Sequence, residues 1–586
     1  MKGRKLSILV SLGLALALLV SACGGEATPA PAPAPAPTAA PAPTAAPAPT
    51  AAPAPTAAPA PAATPAPVLT PPPAPAPTVS ALPGKYGGVM EYWNRTDPPG
   101  FDLHRTTSHT PFFSHPVFNT LVRFDPTKKG FDPANIQPDL AKSWEVSSDG
   151  LTYTFFLNEG VKWHDGQPFT SADVVYSFEK MLDPERSVLA GRFPGFDRVE
   201  AVGDLTVKVH MKAPQASLIP LLAQGYMVME AKHLADSDPK NPDFLVGTGP
   251  FMLKEYVSGV SYTYEKNPNY FKEGLPYLDG LIIHIIRDRP AQRAAFVAGR
   301  LDMTSPTIGM PTKSIFDQHQ DGAPSATYSI QDFQMVRLFW FNLKGNNPWN
   351  DVRVRRAINL VLDREQIVLA GVGDLDWGRI GGVLPPGNAY ALPADEMAKV
   401  QWWDRPYEER VAEAQRLMAD AGHAEGFEVR MVARTLSIYK RILTQAADLL
   451  RQHLNIEATL ELPETARAQE QRNAGDFDIY FEVMYANIGD PDEIMGYWVT
   501  GGAENWTGYS NTRVDELFEL QSKASTVAER QEYTWEIEQI LAEDAPAIPS
   551  FFIRYGIGLY PQVKNFTPID AAYGGALQME QVWLER

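Results

Sequence analysis

Of the ten histidines, His104, His109 and His115 form the densest group, with Asp97 and Asp102 close by in sequence. Imidazole and carboxylate together suit a zinc-like cation, so these five are a candidate metal site. Loop histidines beside a strand are more often structural, and no cysteine is free to join them. No metal is therefore assigned. His164-Asp165-Gly166 has the composition of a turn between a strand and a helix rather than a catalytic pair. The chain carries no Gly-x-Ser-x-Gly nucleophile elbow, no His-Glu-x-x-His zinc helix and no Gly-rich phosphate loop. Nothing positive argues for an enzyme. No catalytic residue and no cofactor are assigned.

Cys23 is the single cysteine, and its surroundings give it a chemistry. Lys2, Arg4 and Lys5 precede an apolar run from Leu6 to Val20, which is short for a membrane span and has the layout of a secretory signal peptide at 1–22. Val20-Ser21-Ala22-Cys23 then resembles the bacterial lipobox, whose cysteine is lipidated. Cys23 is accordingly expected to tether an extracytoplasmic protein to the cell membrane, in a periplasm or at a cell surface. With its one cysteine so used, the remaining chain has no disulfide. No later run is apolar and long enough to span a bilayer. The formal net charge of −18 argues against nucleic acid or an anionic membrane surface as the main partner. Membrane contact is expected through the lipid only.

These residues need elements to position them. From Glu26 to about Ser80 the chain is a repeat of Pro, Ala and Thr with almost nothing large and apolar. Residues 23–83 are read as the lipidated cysteine and a disordered polyproline II-like stalk, which fully extended reaches on the order of 170 Å. The folded part starts near Gly84. Leu151, Tyr153, Phe155 and Leu157 alternate on one strand face, and Asp149-Gly150 marks a turn back to Trp144–Val146. Leu205–Met211 alternates in the same way. Thr170-Ser171-Ala172-Asp173 predicts a capped helix start, with Val174, Val175, Phe178 and Met181 at helical spacing. Further on, Asp351 caps a helix with Ala357, Ile358 and Val361 inward. Another helix is predicted from Pro406 to Ala421, and a third follows Thr526 with Ile537, Ile540 and Leu541 inward. Short strands at 428–432 and 477–481 alternate with helices, as an α/β lobe requires. About 500 folded residues predict at least two lobes.

Ordered segments of this chain resemble bacterial extracellular solute-binding proteins of family 5, the peptide and nickel receptors of ABC importers. They are Ile136–Trp144; Gly160–Val174, which reads GVKWHDGQPFTSADV; Gly247–Phe251; Asn267-Pro268-Asn269-Tyr270; and Asn350–Ile358. The resemblance covers nearly all of the chain after the stalk. It implies an α/β, two-lobed periplasmic-binding-protein fold of the cluster C type with an extra β-rich subdomain. Lobe I is expected at 84–115, 246–330 and 546–586, the subdomain at 116–245, and lobe II at 331–545. The chain would then cross between lobes twice, and solute would be enclosed between them.

The same resemblance implies site residues. Family peptide receptors hold the ligand amine with an aspartate just after a lobe II strand. Aligned on Gly489-Asp490-Pro491, that place is taken here by Asn487, which carries no charge to pair with an ammonium. Asp490 is the possible substitute, or a turn residue. Arg472 aligns with a family arginine that can hold a carboxylate, and is equally well read as a surface residue. Tyr485 stands beside the site. Trp93, Trp340 and Trp498 are the aromatics assigned to the cleft, with Tyr92, Phe341 and Trp506 near it, though each alone fits a core equally. The expected function is a monomeric substrate-binding lipoprotein that captures a small peptide-like solute and delivers it to permease subunits. A non-peptide solute, such as an oligosaccharide or metal chelate, stays open because of Asn487. A tethered secreted hydrolase or a structural surface protein is a rival of another class.

Overall fold

The computed structural model describes residues 82–105, 111–128, 133–193, 195–485, 489–502, 504–524, 526–568 and 579–586. The expectations for the leader, Cys23, the stalk, His109 and Asn487 lie outside the described residues. Among the described residues, no helix is long and apolar enough to cross a membrane.

The first lobe is built on a four-stranded sheet. Strand Val89–Asn94 runs parallel to Gly280–Ile285, which pairs antiparallel with Ser261–Lys266 and so with Phe251–Val257. Met90 and Tyr92 of the first strand face one core while Trp93 faces another. Period-two alternation produces this division. Gly280 permits the close pairing: a Cβ there would lie 2.2 Å from the Tyr264 carbonyl oxygen.

The subdomain is a second, wholly antiparallel sheet. Its strand order is Ala141–Val146, Thr152–Leu157, Thr206–Met211, Phe196–Ala201. Tyr153, Phe155 and Leu157 are buried and their neighbours are not, as the alternation predicts. Helix Ser171–Leu182 covers this face. Thr170 caps it, and the Asp173 carboxylate accepts from the Thr170 backbone N–H at 2.8 Å. Val174, Phe178 and Met181 then point inward. Residues of the first sheet and of the subdomain belong to one continuous hydrophobic core, so the subdomain is an extension of the first lobe.

The second lobe holds a six-stranded mixed sheet. Its order is Gly378–Arg379, Ala547–Leu559, Thr327–Phe341, Ile479–Tyr485, Glu428–Val432, Glu457–Glu461. The last three strands are mutually parallel and connected through helices Ser437–Leu454 and Thr465–Ala474. The other pairings are antiparallel. Separate cores fill its two faces, one under helices Val352–Val361 and Ser437–Leu454, the other under Thr512–Lys523 and Val527–Asp544.

The two long strands reach from one lobe into the other. Near the second lobe Val336–Trp340 pairs with Phe552–Ala547; toward the first, Thr327–Asp332 pairs with Leu559–Arg554. Between these stretches the ladder is irregular, with residues 333–335 set against Ile553 alone. Met303 and Met310 of the first lobe bridge to Leu559 and Gly556. A Cβ on Gly309 would sit 2.2 Å from the Gly556 carbonyl oxygen, so glycine is required at this contact. The expected lobe border at 545/546 is thereby corrected. Ala547–Phe552 are sheet residues of the second lobe, because the hydrogen-bonded ladder with 336–340 claims them. The border falls within both crossing strands, at the irregularity.

Candidate functional site

The subdomain meets the second lobe directly. Arg192 Nη1 lies 2.9 Å from Glu493 Oε1, and the Ala216 N–H donates to the Ser522 carbonyl at 3.1 Å. Ser217 Oγ donates to Asp492 Oδ2, while Asp492 Oδ1 accepts from Gln521 Nε2 and, at 2.6 Å, from Ser522 Oγ. Proline at the first turn of Pro491–Met495 starts the short helix that carries Asp492 and Glu493. These bonds join the subdomain to the second lobe, away from the crossing strands that link the lobes in the chain.

Tyr485 ends its strand opposite Met335 and is half-buried; burial pushes its phenol up to about 12. Glu482, three residues earlier, is held by Arg434 through Nε and Nη2, both at 2.7 Å, and accepts from Tyr439 Oη at 2.6 Å. Arg472 lies with its guanidinium carbon 4.0 Å from the Trp506 ring centre and donates to Asn473 Oδ1 at 2.9 and 3.1 Å. Trp506 and Tyr497 are half-buried and form the outer layer of an aromatic stack. The guanidinium and the two half-buried rings together suit a ligand with both apolar and anionic parts.

Other expected site residues are placed differently. Asp490 is wholly buried, caps Pro491–Met495, and makes two bonds of 2.7 Å to Arg530. Both oxygens are engaged, so Asp490 is a structural ion pair rather than an amine anchor. Trp340 and Trp498 stack at 5.0 Å with no exposure, beneath Tyr497 and Trp506. Trp93 packs against Phe296 and Leu301 in a separate core of the first lobe. Burial removes all three from direct ligand contact. Tyr92 and Phe341 are likewise core.

The metal candidates divide. Asp97 accepts from Tyr256 Oη and the Gly259 N–H, both at 3.1 Å, and the His115 ring packs on Gly225. Asp102 and His104 do come together, joined by Glu230, with their ligand atoms within 4.8 Å. Lys180 enters this group, bonding Asp102 Oδ2 at 2.8 Å and Glu230 Oε2. Its ammonium already supplies the cation. Burial, then the charge of Lys180, push the His104 imidazole down to about 3, and its Nε2 faces the Val228 carbonyl at 3.0 Å. His164 is a clamp on the 247–249 turn, bonded to the Gly249 carbonyl at 3.0 Å and to the Gly247 N–H at 3.3 Å.

Sequence reasoning missed Arg192, Glu493, Arg434, Glu482 and Arg337. Arg337 left a signal: it shares a strand face with Met335, Phe339 and Phe341, so alternation alone puts its charge among apolar residues. The other four lie in segments without periodicity, or pair across distances that sequence does not reveal.

Known proteins share this architecture. Heme-binding protein A of Haemophilus influenzae is 28% identical over 79% of this chain and 87% of its own length. Di/tripeptide-binding protein 1 of Pseudomonas aeruginosa is 26% identical over 80% of this chain and 90% of its own. The crystal structure of Haemophilus influenzae OppA in complex with RPPGFSPFR superposes with a TM-score of 0.69 at 22% identity, covering 86% of this chain and 99% of that one. The family model for bacterial extracellular solute-binding proteins, family 5 (Middle), matches residues 135–506. With a family model matched over residues 135–506 and two sheet-bearing lobes linked by two long strands, the chain belongs to the bacterial extracellular solute-binding proteins of family 5.

Proposed function

We propose that this protein is the substrate-binding lipoprotein of an ABC importer and that it encloses a peptide-like solute between its lobes. Family membership supports the receptor role, and relatives named for di- and tripeptide binding support the solute class. The observation that carries the reading is the pair of crossing strands with an irregular ladder, spanned at the far side by the Arg192–Glu493 bridge. Two lobes joined so can hinge, and closure excludes water from what lies between them. Arg472, Trp506, Tyr497 and Tyr485 supply the wall of the second lobe. Cys23 anchors the receptor, the stalk gives it reach, and it works as a monomer beside its permease.

A thermal-shift screen of the domain from Gly84 onward tests the solute class, with peptides, oligosaccharides and nickel chelates as its arms. A true ligand at a hundred times its dissociation constant stabilises by about 2.7 kcal/mol. Stabilisation by peptides is expected; a shift with sugars or chelates alone would replace the peptide reading. The described carboxylates that flank this segment in sequence, Glu482, Asp490, Asp492 and Glu493, each face an arginine. N-acetylated and free-amine peptides are therefore expected to bind within a few-fold of one another, as calorimetric titration will show. A strong preference for the free amine would contradict this and point to the 486–488 segment. Mass spectrometry of the membrane-extracted protein checks the lipid on Cys23, and C23A should be released from the membrane.

A further inference from the structure

We propose that Arg337 is the heart of an anion-accepting subsite in the second lobe, built to receive a carboxylate of the solute. This rests on the receptor reading above. Arg337 is 5% exposed, and its guanidinium makes no hydrogen bond or ion pair among the described residues. Nε and Nη1 are shut off from solvent without an acceptor, while Nη2 keeps solvent contact. The guanidinium carbon stands 5.3 Å from the centre of the Phe551 ring. That ring offers a favourable face for a cation but nothing to accept a hydrogen bond.

The surroundings are positive. Arg337 pairs in register with Val483, next to Glu482 and two residues before Tyr485. Its charge acts on Tyr439, whose hydroxyl bonds Glu482. Arg434 engages both oxygens of the Glu482 carboxylate, so that anion is already answered and Arg337 is left without one. Tyr439 stays neutral, because burial raises its phenol. It lies in the first turn of helix Ser437–Leu454, which has no side-chain cap, so the positive end of a long helix reaches the same place. A buried guanidinium lacking an anion is unfavourable, and a carboxylate that reaches the solvent-facing Nη2 completes the charge balance with a charge-assisted hydrogen bond. That carboxylate comes from the C-terminus of a peptide or from an acidic side chain.

The test compares wild type with R337M, which keeps volume without charge, and R337K, which keeps charge without the fork. Each is titrated calorimetrically with di- and tripeptides as free acids, as C-terminal amides, and as amides carrying an aspartate. Wild type is expected to favour free acids over amides by about tenfold or more. Rescue by the aspartate would instead assign the side chain as the source. R337M should bring the ratio close to one and R337K should fall between. Unliganded R337M should melt at the same temperature as wild type or higher, since an unpaired buried charge has been removed. A wild type indifferent to the carboxylate, or an R337M that loses several degrees with its ratio intact, overturns the proposal and makes Arg337 structural. If wild type binds no peptide, the peptide reading fails separately. Succinate and citrate then probe the subsite, and it stands only if they stabilise wild type and not R337M.

Discussion

Burial strips the water that would stabilise the Glu230 carboxylate and pushes this carboxyl up to about 8, although Lys180 bonds both it and Asp102. Burial raises the Glu230 carboxyl; Asp102 is desolvated too, but the charge and hydrogen bond of Lys180 outweigh this and lower it. Lys180, Asp102 and His104 face Glu230, with Arg186 and Tyr176 beyond them. A carboxyl raised in the folded state contributes its full stability below its unfolded value, and loses it as pH climbs through the folded one. Asp102 has the opposite sign and matters only at acid pH. Wild type should therefore lose melting temperature toward pH 9 relative to E230Q, which still accepts from Lys180. Parallel melting curves across pH 5 to 9 would contradict this. Glu538, pushed up to about 7 by burial, contributes the same sign to both proteins and cancels in the comparison. The sequence brought Asp102 and His104 into view as metal ligands because their types suit a cation. It did not reveal that Lys180, on the capped helix of the subdomain, is that cation. The Asp490–Arg530 pair was hidden for the same reason, since a partner forty positions away leaves no local mark.

At the scale of elements, local rules were readable and pairings were not. The caps at Thr170, Asp351 and Thr526 are all present, because a cap is decided within a few residues. T170A should cost about 1 kcal/mol in chemical denaturation; no change would show the cap to be idle. The strand expected at 477–481 runs instead from Ile479 to Tyr485, since Asp478 turns out to accept from the Arg430 N–H at 2.7 Å. The largest difference from expectation is at 547–552, whose ladder partner lies far away in sequence. Close approach at the crossing strands gives another test. G309A forces a Cβ against the Gly556 carbonyl and should destabilise by about 1–3 kcal/mol. Unchanged stability would mean that the two lobes do not rely on this contact.

Across the whole molecule, the closed arrangement depends on bonds that need not touch solute. Arg192–Glu493 and Ser217–Asp492 hold the subdomain to the second lobe, and each favours closure. Removing Arg192 lowers the fraction of closed molecules, and apparent affinity falls with that fraction. R192A should weaken solute binding several-fold without altering which solutes are preferred. The account's central claim is capture by closure around the crossing strands, and a distance across the cleft tests it most directly. Spin labels at V188C and L369C, both at exposed positions in the subdomain and the second lobe, report it in a domain lacking Cys23. Saturation with a peptide selected in the thermal screen should collapse a broad distribution of distances to one short, narrow population. An identical distribution with and without that peptide would contradict capture by closure.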